Sequence, residues 1–450
     1  MTGLHSLLGE EPRVAVVGLG RTGVSVVRHL HARGIDCLAV DTRDRPPGLE
    51  SVRRLAGVSV FTGGFPERIL TWATHLVVSP GVPLDRPEIR ATLERGVALV
   101  SDIDLFAAAV TAPVVAVTGS NGKSTVTTLV AEMARAAGLR VAAGGNLGTP
   151  ALELLDPACQ LYVLELSSFQ LERSRYLRPL AGAVLNLSPD HLDHHRDFAA
   201  YAAAKGRLLR WSRWRVVNAD DPQVMQLVGR QPHQRVCFSL TDPGADWHLE
   251  TRAGETWLAR RGEPWLATTE LSLQGRHNQA NALAALALAE AAGIPKAAAL
   301  AALRDFTGLP HRMQTVAEID GVTWINDSKG TNVGATEAAI AGLAGPVVLL
   351  AGGDGKGADF TPLREAAAAK VKMAILYGRD RRRLAAALAP AVPVIEVEDL
   401  DQAVAAARRL AVTGDTVLLS PACASFDQFR DYRARGDHFT ALVQRWQSAA

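Results

Sequence analysis

Residues 117–125 read Val-Thr-Gly-Ser-Asn-Gly-Lys-Ser-Thr, set between the apolar run Pro113 to Val117 and an alanine-rich stretch beginning near Lys123. Strand, glycine-rich turn and helix in that order point backbone N–H groups at phosphate oxygens. The lysine adds a charge at the β- and γ-phosphates, and the next hydroxyl is available to magnesium. Gly119, Ser120, Asn121, Gly122, Lys123, Ser124 and Thr125 are therefore candidate contacts of a nucleoside triphosphate. The spacing is shorter than the commonest G-x-x-x-x-G-K-[ST]: the position five before Gly122 is Val117, and Gly119 comes only three before it. An ordinary strand-to-helix turn explains the glycines but not the Gly-Lys-Ser-Thr ending.

Outward from this loop, short Val/Leu/Ala/Ile runs alternate with Ala- and Arg-rich helical stretches, the pattern of parallel sheets covered by helices. The chain has 450 residues, about three times a usual domain, and three such blocks are visible. The first predicts strands at Val14 to Val17, Cys37 to Val40, His75 to Val78 and Val97 to Val100. The second predicts Val114 to Val117, Tyr162 to Glu165, Ala183 to Asn186 and Val216 to Asn218. Within it, residues 235 to 273 carry Trp247, Trp257 and Trp265 in short alternating segments between turn residues, which reads as a small antiparallel meander. Thr-Gly-Leu-Pro-His-Arg at 307 to 312 reads as a linker. The third block predicts strands at Val322 to Asn326, Val347 to Leu350, Ala374 to Tyr377, Val394 to Glu396 and Val417 to Ser420.

Composition narrows the partners. The 48 basic and 46 acidic residues leave a formal charge of +2, which gives no reason to expect nucleic acid or an anionic membrane, so an anionic ligand must be held by local charge. No apolar run approaches about 20 residues and no basic-then-apolar leader precedes Arg13, so neither membrane insertion nor export is expected and the reading is cytoplasmic. Cys37, Cys159, Cys237 and Cys423 are far apart with no C-x-x-C pair, so they are expected as buried small hydrophobes rather than disulfides or zinc ligands.

Gly18-Leu19-Gly20-Arg21-Thr22-Gly23 follows the first strand, and Asp41 ends the second. Glycines here admit a pyrophosphate to a helix N-terminus with an acid near a ribose. A nicotinamide or flavin dinucleotide, another diphosphate-linked nucleoside, and a ligand-free turn all remain open. Glu165 ends a strand whose carboxyl end faces the phosphate loop, as expected for holding a magnesium-bound nucleotide. Asp190 and His191 follow the next strand; the neighbouring Asp193, His194 and His195 suggest a transition metal, but phosphate chemistry favours hard oxygen ligands. Lys205, on an alanine-rich helix with tyrosine and leucine four residues to either side, reads as a solvated lysine. In the third block, the polar stretches 324–336 and 351–360 each follow a strand, and with the loop from Ser420 they are expected at one sheet edge as binding loops.

With these residues in view, the chain resembles the Mur ligase family of bacterial cell-wall synthesis over essentially its whole length. The resemblance rests on Thr-Gly-Ser-Asn-Gly-Lys-Ser-Thr, on Glu-Leu-Ser-Ser-Phe-Gln-Leu-Glu around Glu165, and on Asp-His-Leu-Asp around His191. It continues in His-Asn-Gln-Ala-Asn-Ala-Leu-Ala-Ala at 277–285, Gly-Leu-Pro-His-Arg, Asn-Asp-Ser-Lys-Gly-Thr-Asn, Gly-Gly-Asp-Gly-Lys and Ser-Pro-Ala-Cys-Ala-Ser. It implies an α/β chain of three domains. Residues 1–105 would be a Rossmann-like domain for a UDP-linked substrate, 106–308 a P-loop ATPase-like parallel sheet with the small meander, and 309–450 a Rossmann-like domain that binds the incoming amino acid and closes on ATP. The implied reaction joins D-glutamate to UDP-N-acetylmuramoyl-L-alanine through an acyl phosphate, with ATP and Mg2+, releasing ADP and phosphate from a cytoplasmic monomer.

The resemblance also implies site roles. Gly20, Arg21, Thr22, Asp41, Thr42, Arg43 and Gly81 become UDP-substrate contacts, with Asn146 near the pyrophosphate or sugar and His191 also facing the substrate. Lys123, Glu165, His191 and Lys205 become catalytic, Lys205 as a carbamate that ligates magnesium together with Ser124, Glu165 and His191. Asn278, Asn281, Arg312 and Asp327 match nucleotide positions; Lys329, Thr331, Lys356, Ser425 and Tyr432 match positions around the amino acid. Tyr432 stands where phenylalanine is expected, and Gly330 and Gly357 depart from the pattern in a way expected to loosen their loops. Folate-extending ligases are disfavoured by the first-domain pattern and by Glu-Leu-Ser-Ser-Phe-Gln, and other members of the family by Ser-Pro-Ala-Cys-Ala-Ser and the lack of Asp-Asn-Pro-Arg. A dinucleotide oxidoreductase leaves the Gly-Lys-Ser-Thr loop unexplained, and a non-catalytic nucleotide-binding protein leaves Glu165, His191 and Lys205 without a task.

Overall fold

The computed structural model describes residues 2–192, 194–228, 234–273 and 275–447. Strands β1 (Val14–Val17), β2 (Cys37–Asp41), β3 (Ser59–Thr62), β4 (His75–Val78) and β5 (Ala98–Val100) form a parallel sheet in the order β3-β2-β1-β4-β5. Val14 to Val17 are all buried because alternate side chains enter different cores. Val14 and Val16 pack with Val26, Val27 and Leu30 of the helix Arg21–His31. Ala15 and Val17 pack with Leu70 and Ile89 on the opposite face.

The second sheet has nine strands: β6 (Val114–Thr118), β7 (Val141–Gly145), β8 (Leu161–Glu165), β9 (Ala181–Val184), β10 (Trp214–Asn218), β11 (Arg235–Ser239), β12 (Trp247–Arg252), β13 (Glu255–Arg260) and β14 (Glu263–Ala267). Their order is β14-β13-β12-β11-β10-β9-β6-β8-β7, so the strand feeding the phosphate loop lies between β9 and β8, which lead to Asn186 and end in Glu165. Val114, Ala116, Tyr162 and Leu164 share one apolar cluster with Val14 and Val16 of the first sheet.

The third sheet contains β15 (Gln314–Ile319), β16 (Val322–Asn326), β17 (Val347–Gly352), β18 (Val371–Tyr377), β19 (Val394–Glu396) and β20 (Thr416–Leu419), in the order β15-β16-β20-β17-β18-β19. All its pairings are parallel except that of β15 with β16. By their contacts the residues fall into two compact units. One carries the first two sheets; the other carries the third sheet together with the segments Ser188–His195 and Leu271–Gln279.

The core strands lie where the sequence predicts them, with bounds shifted by a residue or two, and the differences are physical. The segment 235–273 is not a separate meander: β11 pairs parallel with β10, β12 pairs parallel with β11, and only β12, β13 and β14 are antiparallel. β9 ends at Val184 rather than Asn186, which frees Asn186 for a loop contact described below. Two cysteines, Cys37 and Cys423, are buried, whereas Cys159 and Cys237 are partly exposed, contrary to the expectation for all four. Asp193 lies outside the described residues. Among the described residues no helix is long and apolar enough to cross a membrane.

Candidate active site

The phosphate loop leaves β6 at Thr118 and enters the helix Lys123–Ala136 through Gly122, whose φ of 80° is left-handed and suits glycine. A Cβ at Gly122 would collide with the amide oxygen of Asn281, so this loop and the helix Arg276–Ala291 meet at a point where no side chain fits. Two neighbours clamp the loop. Asn186 accepts from the Asn121 N–H at 2.8 Å and takes the Ser120 N–H on its own carbonyl at 2.9 Å. Ser120 Oγ and Tyr201 Oη are 2.8 Å apart. Lys123 Nζ donates to the carbonyls of Gly119 at 2.9 Å and Ser120 at 2.8 Å.

Glu165 closes the site from the neighbouring strand. It is 3% exposed, accepting from Ser124 Oγ at 2.5 Å and from Asn146 Nδ2 at 2.6 Å. A hydroxyl and a carboxylate thus gather beside a phosphate loop, hard oxygens of the kind magnesium prefers, with the Asn146 amide N–H holding the carboxylate in place. Lys205 overturns the expectation of a solvated lysine: it is only 2% exposed. The small residues around it let the helix Phe198–Trp211 approach β6 closely. Its Nζ donates to the Gly119 carbonyl at 2.8 Å, lies 3.4 Å from Thr118 Oγ1, and stands 4.7 Å from the Tyr201 ring centre.

In the first sheet a cavity of ≈ 450 Å³ opens at the carboxyl ends of the strands, lined by Gly20, Arg21, Thr22, Asp41, Thr42, Arg43 and Gly81, and also by Ser79, Val82 and Arg86. All the sequence-predicted UDP-side residues except Asn146 and His191 line it. Asp41 is already engaged: it accepts from the Leu19 N–H at 2.7 Å and from Arg43 Nη2 at 2.7 Å and Nε at 2.9 Å. Burial raises its carboxyl, but the Arg43 and backbone hydrogen bonds outweigh burial and hold it below the ordinary aspartate value. The charge available to a ligand there is accordingly shared with Arg43.

In the other unit, β16, β20 and β17 run parallel, so the three polar loops that follow them share one edge. They are joined there: Ser420 Oγ donates to Asp327 Oδ2 at 2.7 Å, and the N–H of Ala422 donates to the Gly330 carbonyl at 2.9 Å. Gly330 does not loosen its loop. A Cβ there would come within 2.6 Å of both Asp327 Oδ2 and Ser420 Oγ, so the pair requires glycine. Gly357 holds a left-handed φ of 77°, again a demand for glycine rather than slack. Lys329 Nζ lies 5.0 Å from the Tyr432 ring, and Lys356 Nζ lies 5.6 Å from that of Phe426. Arg433 Nε donates to the Tyr432 hydroxyl at 3.3 Å, which accounts for the extra oxygen at this position. Ser425 is buried, while Thr331 and Arg312 are half-buried.

Asp327 titrates unusually. Burial lifts its carboxyl to about 7, against hydrogen bonds from Ser420 and the Met313 N–H and the nearby charges of Arg312 and Lys329. The folded chain therefore holds a proton that an unfolded aspartate releases near its ordinary value of about 3.9. Stability falls as pH rises through that window and the loss is complete above about 7. Asp327→Asn removes this dependence, so between pH 5 and pH 8 the variant should gain stability relative to the parent by roughly 2–4 kcal/mol. Denaturation midpoints at intervals across that range measure it. Parallel pH profiles for the two proteins would show that Asp327 is ionised throughout.

His191 and Asn278 belong to the unit of the third sheet. His191 adopts a left-handed φ of 55° and its Nε2 lies 3.6 Å from Asp190 Oδ2, while Asn278 is buried on the helix that also carries Asn281. Around the phosphate loop, then, the structure gathers Lys123, Ser124, Asn146, Glu165, Lys205 and Asn281.

The sequence compares accordingly with known proteins. It matches the Mur ligase middle domain over residues 117–289, the Mur ligase MurD-like N-terminal domain over 12–101, and the Mur ligase glutamate ligase domain over 311–423. The chain belongs to the Mur ligase family. A UDP-N-acetylmuramoylalanine--D-glutamate ligase of Methylococcus capsulatus is 52% identical over 434 residues, covering 96% of this chain and 94% of that protein. One of Nitrosococcus oceani is 52% identical over 445 residues, covering 96% and 98%. Among solved structures, a pseudomurein peptide ligase type C from Methanothermus fervidus superposes with a TM-score of 0.63 at 18% identity, over 96% of this chain and 99% of that one, a likeness of fold.

In this Mur ligase the sequence missed the residues that shape the site without touching a motif. Asn186 and Tyr201 clamp the phosphate loop, and Phe65, Ser79 and Arg86 wall the first cavity. Asn186, a polar residue at the end of a predicted strand, was the one with a readable signal.

Proposed function

We propose that this Mur ligase joins D-glutamate to UDP-N-acetylmuramoyl-L-alanine in peptidoglycan precursor synthesis, using ATP and forming ADP and phosphate. The structural observation that carries the reading is the contact of Ser124 with Glu165 beside Lys123, a phosphate loop built for a metal-bound triphosphate. The acceptor amino acid follows from the full-length relatives that are half-identical to this chain.

The chemistry answers a specific difficulty. A carboxylate resists nucleophiles, so the alanyl carboxylate first takes the γ-phosphoryl of ATP, giving an acyl phosphate and ADP. The amine of D-glutamate attacks its carbonyl carbon, loses a proton, and expels phosphate from the tetrahedral adduct. Two anions meet in the first step, so charge stabilisation is the main requirement. Lys123 supplies it at the transferred phosphoryl group. Ser124 and Glu165, with Lys205 as its carbamate, would hold Mg2+, and His191 is assigned the same task on the family pattern; when bound, the ion neutralises phosphate charge and aligns the reacting oxygens. Asn278, Asn281, Arg312 and Asp327 are assigned to the nucleotide. Gly20, Arg21, Thr22, Asp41, Thr42, Arg43 and Gly81 are assigned to the UDP moiety, for which the first cavity has the right place at the strand ends. Lys329 and Lys356, with Thr331, Ser425 and Tyr432, offer two cations for the two carboxylates of glutamate.

The test is phosphate release with ATP, magnesium and UDP-N-acetylmuramoyl-L-alanine, comparing D-glutamate with L-glutamate, L-alanine, L-lysine and diaminopimelate. Release should require D-glutamate. Release with a different acceptor would move the substrate within the family, and no release with any would end the proposal.

A further inference from the structure

Arg173 has no place in the chemistry above, yet it is among the most deeply buried charges in the chain, 2% exposed. It ends the helix Ser168–Arg173, which starts three residues after Glu165 and is fixed there by reciprocal Ser167 and Gln170 hydrogen bonds. From that position the guanidinium reaches the first sheet. Nη1 donates to the carbonyls of Val78 at 2.9 Å and Ser79 at 2.5 Å, and Nη2 donates to that of Val82 at 2.6 Å. Burial pulls its pKa down to about 10, and Glu172 and Asp102 offset this only in part. A buried cation held on main-chain carbonyls is costly, the more so with its Nε unpartnered, and truncating it would take the arginine donor from all three, leaving the Ser79 carbonyl only the Val82 N–H.

What the three carbonyls belong to gives the arginine its meaning. Ser79 and Val82 line the cavity of the first sheet. The Val82 N–H closes the turn onto the Ser79 carbonyl at 2.9 Å, and Ser79 Oγ donates at 2.7 Å to the carbonyl of Gly18, the first glycine of the 18–23 turn. We infer that Arg173 is a positioning residue for the UDP-linked substrate: it fixes the 79–82 wall of the cavity, and through Ser79 the glycine turn, to the helix that follows Glu165. Substrate binding and the carboxylate beside the phosphate loop are thereby referred to one rigid element. The helix itself is held independently. Gln170 Nε2 donates to Asp102 at 3.2 Å, Ser174 Oγ lies 3.0 Å from Ser101 Oγ, and the N–H groups of Arg175 and Tyr176 donate to Asp104 at 2.7 and 2.9 Å. Losing Arg173 therefore releases the wall without detaching the helix.

The inference rests on reading that cavity as the UDP site, and the experiment separates the two. In the full-length protein, binding of UDP-N-acetylmuramoyl-L-alanine is titrated against the parent, Arg173→Met, which keeps length without donors, and Arg173→Lys, which restores one cationic donor. ATP is titrated in parallel. Arg173→Met should weaken the UDP-linked substrate about 10- to 100-fold and raise its KM alike, while KM for ATP and kcat stay within about twofold. Arg173→Lys should recover part of the loss. Variants that melt earlier but bind the substrate as the parent does would reduce Arg173 to a structural role and overturn the inference. A parent that binds no UDP-linked substrate would remove the cavity reading and the inference together. Arginine-dependent binding without D-glutamate-dependent phosphate release would leave the inference standing and the proposed reaction fallen.

Discussion

Replacing Lys205 with alanine is expected to lower ligation by about 10³-fold or more while leaving the protein folded. Alanine suits the alanine-rich helix that carries it. The reason for so large an effect lies in the Gly119 carbonyl, which takes Lys205 Nζ at 2.8 Å and Lys123 Nζ at 2.9 Å. Two ammonium groups on one oxygen stand within roughly 6 Å of each other and repel by on the order of 3 kcal/mol at an effective dielectric constant near 20. On the proposed reading, carbamylation by carbon dioxide would turn that repulsion into attraction and would supply oxygens to ligate the magnesium of the bound triphosphate. Short-chain carboxylic acids added to Lys205→Ala should therefore restore part of the rate by replacing the missing anion. A variant retaining more than about a tenth of parental turnover would show that Lys205 is no ligand; loss without rescue would point instead to packing against Tyr201.

The second large effect concerns the opposite end of the chain. Arg435, 0% exposed, donates from Nε to Ser328 Oγ at 3.0 Å, from Nη2 to the Ser328 carbonyl at 2.9 Å, and from both terminal nitrogens to the Cys423 carbonyl at 3.1 Å. It ties the helix Tyr432–Gln447 to the loops after β16 and β20, which carry Lys329 and Ser425. Arg435→Ala leaves a hydroxyl and two carbonyls buried without their donor, and should cost on the order of 3–5 kcal/mol in the third sheet's unit. Peptide-resolved hydrogen exchange should rise first at residues 326–332 and 420–425, with KM for D-glutamate rising and that for UDP-N-acetylmuramoyl-L-alanine unchanged. A loss under about 1 kcal/mol, or exchange that rises elsewhere first, would refute this account.

Much of this architecture was legible because buried parallel strands have no polar face. β1, β4 and β16 lie where their apolar runs place them, and the phosphate loop is readable because its chemistry demands one local sequence. The missed strands were edges. β3 is alternately exposed, β7 is alanine and glycine, and β15 alternates weakly just past the linker. Edge strands satisfy only one neighbour and need fewer β-branched residues. Lys205 misled because its burial depends on the helix docking against β6, which i±4 neighbours do not encode. Gly330 misled because its constraint is the Asp327–Ser420 pair, formed between residues 93 apart in sequence. Family resemblance implied the role proposed for Lys205; only the structure supplies Tyr201 and Arg173.

The strand order of the third sheet bears on synthesis. β20, the last strand in sequence, lies between β16 and β17, which do not pair with each other. Until Thr416–Leu419 leaves the ribosome, both of those strands present an open edge, whereas the first sheet has every strand it needs by Val100. The loops that carry Lys329, Lys356 and Ser425 are thus the last part of the molecule to acquire their mutual positions. Between the synthesis of β16 and that of β20 the nascent chain has a complete first sheet and, at its growing end, strands with one open edge exposed to association with other chains.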